Sequence, residues 1–157
     1  MDADPGELTE ADLHWLRQAI ELSRRCTPSA TAYSVGALVV GADGAVVADG
    51  WSRRDDPHEH AEESALARAA GDPRLATATI YSSLEPCSTR ASRPRTCTEL
   101  ILATGLRRVV FAWREPEIFV DCDGAERLRA AGATVIEVPS LAPLVRKVNA
   151  HLLDRGH

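Results

Sequence analysis

The chain has 157 residues, of which 45% are hydrophobic and 26% charged, and a net charge of -5. That length suits one domain with a core large enough to stand without disulfides, and no apolar run approaches the ~20 residues that span a bilayer. The acidic balance argues against broad attraction to nucleic acid or to an anionic membrane, so the expected partner is a small molecule.

Thr9-Glu10-Ala11-Asp12 has the pattern of a helix cap, and Leu13, Leu16 and Ile20 follow at helical spacing to about Arg25. Pro28 interrupts. Val35 to Val40 reads as a buried strand, Asp43-Gly44 as a hairpin turn, and Ala45 to about Asp49 as the return strand. A polar loop containing Pro57 leads to a helix from about His60 to Ala70, closed by Gly71 and Pro73. Thr79 to Ser82 reads as a strand running into Leu84-Glu85-Pro86-Cys87, and Cys97 opens an apolar helix ended by Gly105. Strand Val109 to Trp113, helix Ala125 to Ala131 and strand Thr134 to Val138 complete the order, and the helical crossover implies that these two strands are parallel. The fold class is α/β: a three-layer α/β/α sandwich with a five-stranded mixed sheet. No repeat or linker divides the chain, so residues 1–157 are expected to form a single domain.

The chemistry concentrates in His60-Ala61-Glu62, Pro86-Cys87 and Cys97. One imidazole and two thiolates supply three zinc ligands and leave a fourth tetrahedral position for water, as in a catalytic rather than a structural site. Glu62, two residues from the His ligand, is placed to exchange protons as a general acid/base without being a ligand. Cys97 at a helix start gains from the positive end of the dipole, which favours the thiolate that zinc requires. A disulfide between Cys87 and Cys97 is the competing reading. It suits an oxidising compartment, whereas the acidic opening Met1-Asp2-Ala3-Asp4-Pro5 carries no secretory signal and points to a cytoplasmic protein.

These residues resemble those of the cytidine deaminase-like superfamily over about Leu13 to Val138. Within it, Ser83-Leu84-Glu85-Pro86-Cys87-Ser88, Arg95-Thr96-Cys97, Gly105 to Val110 and Leu128 to Val135 are similar to the deaminase domain of the bifunctional riboflavin-biosynthesis pyrimidine deaminase/reductases. The resemblance implies a zinc-dependent hydrolase that deaminates an aminopyrimidine such as the diaminopyrimidinone ribotide of that pathway. It also implies a homodimer or homotetramer. The chain departs from the subgroup in three ways. Ala32-Tyr33-Ser34 stand where it usually carries a ring-contacting Asn. The loop Ser88 to Thr96 replaces its usual His and Gly-Arg-Thr-Pro-Pro run, and residues 1–157 are expected to hold no reductase domain.

Other side chains are candidate substrate contacts. Arg90, Arg93 and Arg95 lie between two expected zinc ligands, where guanidinium groups suit a substrate phosphate; a solvated loop is the plainer alternative. Tyr33, Ser34 and Trp51 are candidates for stacking on or hydrogen-bonding the ring, with ordinary packing the alternative for the aromatics. His58 reads as a surface loop residue, Cys26 and Cys122 as free thiols, and Asp121 and Asp123 as helix-capping groups. Roles for Glu63 and Glu85 stay open at this level. The competing function is a nucleobase or nucleoside deaminase of salvage or secondary metabolism, and a non-catalytic zinc-binding protein is a third class.

Overall fold

A computed structural model describes residues 6–29, 32–86, 96–114 and 124–155. The chain starts with helix α1, Glu10–Leu22. Its capping box is formed as the sequence suggests: Asp12 N donates to Thr9 Oγ1 at 3.1 Å, and Thr9 N donates to Asp12 Oδ2 at 2.9 Å. Ser23–Arg25 then tighten into a 3-10 turn. Strands β1 (Gly36–Val40) and β2 (Val46–Trp51) form the hairpin, followed by α2 (Ala61–Ala69), β3 (Thr79–Leu84) and α3 (Cys97–Ala103). Next come β4 (Arg108–Trp113), α4 (Gly124–Ala130) and β5 (Thr134–Glu137). Two short helices, α5 (Ala142–Val148) and α6 (Ala150–Arg155), come after the last element expected from sequence.

The sheet order is β2-β1-β3-β4-β5. β1 is antiparallel to both β2 and β3, whereas β3, β4 and β5 run parallel, giving the mixed five-stranded sheet expected from sequence. Every residue of β1 and β3 is buried, because helices cover both faces. Strand alternation divides the core accordingly. Ala37, Val39, Ile80, Leu84, Val109 and Phe111 pack towards α2, α3 and α4, while Leu38, Val40, Tyr81, Val110 and Ala112 pack towards α1 and α5. Among the described residues no helix is long and apolar enough to cross a membrane.

β2 extends two residues beyond the sequence expectation. Gly50 is no strand breaker, because a Cβ there would lie 2.5 Å from Ala65 N and 2.6 Å from Ala61 O, so its bare backbone admits α2. Gly36 does the same on the opposite face, where a Cβ would lie 1.9 Å from the Ala19 carbonyl oxygen of α1. The sheet is thus thinned at one end on both sides, and both helices come unusually close to it.

The α1 face carries a closed polar cluster. Buried Asp12 accepts from Tyr81 Oη at 2.6 Å and from Arg108 Nη1 and Nη2 at 2.7 Å each. Burial alone would raise its carboxyl pKa, but the bonds from Arg108, Tyr81 and the Thr9 amide outweigh that and hold it at about 2. Burial and the neighbouring Asp12 carboxylate in turn push the Tyr81 hydroxyl well above its ordinary range. This cluster fastens α1 to the two central parallel strands.

Candidate metal centre

The start of α2 places His60 and Glu62. His60 is the N-cap residue, and its amide donates to Glu63 Oε1 at 3.3 Å, which gives Glu63 a capping role. The extended backbone at the cap lets the imidazole leave the helix axis and reach Cys97, with His60 Nδ1 and Cys97 Sγ 3.3 Å apart. Cys97 is the first residue of α3 and fully buried, and that helix is capped by Thr96, whose Oγ1 accepts from Glu99 N at 3.1 Å. Glu62 is 4% exposed, and one donor atom each from His60, Glu62 and Cys97 falls within 4.8 Å of the others.

This donor set fits zinc. Ligand atoms bound at about 2.05 Å for nitrogen and about 2.3 Å for sulfur on a tetrahedral ion stand about 3.5 Å apart. The imidazole and thiol are therefore already at ligand spacing. Through Glu62, whose Oε1 lies 2.6 Å from Ser82 Oγ, the cluster rests against the C-terminal half of β3.

The comparisons with known proteins agree. The model of the cytidine and deoxycytidylate deaminase zinc-binding region matches residues 9–113. The chain belongs to this zinc-dependent deaminase family. A diaminohydroxyphosphoribosylamino-pyrimidine deaminase of Schizosaccharomyces pombe is 38% identical over 126 residues, covering 78% of this chain and 31% of the relative. The chain thus spans about a third of that protein's length. Among solved structures, RibD of Acinetobacter baumannii superposes with a TM-score of 0.75 at 29% identity, over 92% of this chain and 40% of that one. The Aspergillus oryzae Rib2 deaminase in complex with DARIPP gives a TM-score of 0.77 at 23% identity, over 88% and 90% of the two chains, a likeness of fold.

Against this family background, the structure sorts the residues that the sequence singled out. His60, Glu62 and Cys97 come together. Cys87, Arg90, Arg93 and Arg95, with Asp121, Cys122 and Asp123, lie outside the described residues. Tyr33 and Ser34 lie on the approach to β1. The Tyr33 ring meets Trp113 edge-on at 5.5 Å between centroids and joins the core on the α2 face. Ser34 is held on three sides. Its amide donates to Asn149 Oδ1 at 2.7 Å, its carbonyl accepts from Asn149 Nδ2 at 3.2 Å, and its Oγ accepts from Arg53 Nη2 at 3.0 Å.

Trp51 is placed elsewhere. It pairs with Gly36, whose missing Cβ points at α1, so the indole projects from the face opposite the His60 cluster. Its ring is flanked by the Arg54 and Arg25 guanidinium groups at 3.9 and 5.2 Å from the centroid, a cation-π stack. His58 is exposed, as expected, and Cys26 is buried and free, its thiol facing the Val35 carbonyl at 3.5 Å.

Three supports were not read from sequence. Arg53 adopts φ 62°, a left-handed conformation that costs about 1 kcal/mol or more away from glycine. From there its guanidinium binds the Thr27 and Tyr33 carbonyls as well as Ser34, bracing the loop that enters β1. Glu85, 2% exposed, accepts from Ala125 N at 2.9 Å and from Arg114 Nη1 at 3.2 Å, tying the end of β3 to the start of α4. Gly124 completes that junction, since a Cβ there would lie 1.9 Å from the Pro86 carbonyl oxygen. The adjoining Pro86-Cys87 gave a sequence signal for Glu85, though not for its role. Gly124 gave none.

Proposed function

We propose that this chain is a zinc-dependent aminohydrolase that deaminates a diaminohydroxyphosphoribosylaminopyrimidine-type ribotide, the substrate class in the name of its Schizosaccharomyces pombe relative. The observation that carries the reading is the meeting of His60 with the buried Glu62 and Cys97 against β3, in a chain of the zinc deaminase family. His60 and Cys97 would hold the metal, with Cys87 as the third protein ligand that the motif supplies. Bound zinc supplies the Lewis acidity that makes water reactive near neutral pH. Glu62 takes a proton from the attacking water and delivers it to the ring nitrogen beside the amino-bearing carbon as the water oxygen bonds to that carbon; it then carries the proton of the new hydroxyl to the amino group, so that the C–N bond breaks, a carbonyl forms and ammonia leaves. One carboxylate serves as base and then acid, which requires it to stay in place through the cycle. The five described strands form one sheet, and all of these steps fall to a single domain.

Arg90, Arg93 and Arg95 are proposed to bind the ribotide phosphate, and Tyr33 and Ser34 to face the ring. The test is ammonia release by the zinc-loaded protein from the ribotide, compared with cytosine, cytidine and aminopurines. Preference for the ribotide supports the reading. Preference for an unphosphorylated ring replaces it with a nucleobase or nucleoside deaminase on the same centre.

A further inference from the structure

Along β3, the residues facing α2 are Ile80, Ser82 and Leu84, and the middle one breaks an apolar series. Ser82 is fully buried, a position where a hydroxyl is costly unless it is hydrogen-bonded. Its Oγ lies 2.6 Å from Glu62 Oε1 and 2.7 Å from the Leu84 carbonyl oxygen. The shorter contact is in the range of a charge-assisted bond to a carboxylate.

The neighbouring strands explain how Glu62 comes so near. Ser82 pairs with Ala37, and Ala37 pairs with Gly50, so a row of small residues crosses the sheet beneath the first turn of α2. That row lets the helix settle low enough for the Glu62 carboxylate to meet the strand.

We infer that Ser82 is a positioning residue that sets the orientation of the Glu62 carboxylate. A glutamate near a helix start keeps several rotatable bonds, and anchoring one oxygen fixes the plane and so the direction of the other. The same hydroxyl also touches the Leu84 carbonyl, two peptide units before Pro86. The position of the proton carrier is thereby referred to the strand end that leads into Cys87. The inference rests on the deaminase reading for the work that Glu62 does, and on the geometry alone for where Glu62 points.

The test compares Ser82→Thr with Ser82→Val, which have nearly the same shape and differ in the hydroxyl; Ser82→Ala, which adds no atoms, replaces the Val variant if that one does not fold. Three quantities are read in the full-length protein: steady-state deamination of the ribotide, bound zinc, and the orientation of the Glu62 carboxylate in crystals. The expected result is turnover within about twofold of the parent for Thr. Loss of the hydroxyl should lower kcat on the order of tenfold with KM and zinc unchanged, and should turn the carboxylate plane. Equal kcat for Thr and Val, loss of zinc in step with activity, or an unmoved carboxylate in the variant lacking the hydroxyl overturns the inference. If the parent does not deaminate the ribotide, the substrate proposal fails, and the crystallographic comparison still decides the role of Ser82.

Discussion

Tyr81 and Ser82 are adjacent in β3, point to opposite faces of the sheet, and each meets a carboxylate at 2.6 Å. On the α1 side the carboxylate is Asp12, which also receives a two-pronged bond from Arg108. On the α2 side it is Glu62, grouped with an imidazole and a thiol. The first cluster brings its own cation and binds helix to sheet. The second gathers side chains whose chemistry suits holding a metal ion and carrying protons. Two buried acids held by adjacent hydroxyls of one strand thus have different surroundings: a guanidinium completes one cluster, an imidazole and a thiol the other.

The contrast can be broken from either side. Cys97→Ala is expected to abolish zinc binding and lower turnover at least about a thousandfold while the fold persists, read by metal analysis, ammonia release and circular dichroism. Asp12→Ala should do the reverse. It leaves Arg108 without its buried partner, costs about 3 kcal/mol of stability in denaturant unfolding, and spares zinc binding in the molecules that remain folded.

Acid sharpens the same distinction. The folded pKa of Asp12 lies below its ordinary value, so its contribution is complete above about pH 4 and is lost as pH falls towards 2. Unfolding measured across that window should show a loss of up to about 2 kcal/mol that Asp12→Asn lacks. Gly124→Ala has a smaller expected effect on the other face. The new methyl displaces the Pro86 carbonyl, Cys87 follows, and zinc affinity measured against a chelator falls about tenfold. The smallest effect belongs to Trp51→Ala, expected to change KM by less than about twofold because the indole stacks between arginines on the α1 face.

The grouping of His60, Glu62 and Cys97 was legible in the sequence because the chemistry restricts residue type and the flanking motif marks each member. The strands were legible for a different reason: burial on both faces leaves apolar runs at β1 and β4, and β3 shows a shorter apolar pattern around Ile80 and Tyr81. The face of Trp51 was harder to read. Gly50 looks like a strand end until α2 is seen lying against it, and only the added residues of β2 fix which way the indole projects. Ser82 left a faint trace as a polar residue at the centre of an apolar strand face, but its partner is 20 positions away, on a helix. Asn149 left none. It is 115 residues from Ser34, at the junction of two short helices whose periodicity is too brief to register, and its bonds exist only once the chain has closed.

The most direct test of the division between the two faces is ammonia release from the ribotide, with bound zinc measured on the same samples, for the parent protein and Glu62→Gln. Full zinc in both and turnover in the parent alone is the predicted result. Turnover that survives in zinc-loaded Glu62→Gln would contradict the assignment of Glu62 as the proton carrier and with it the account of the α2 face as the chemical one.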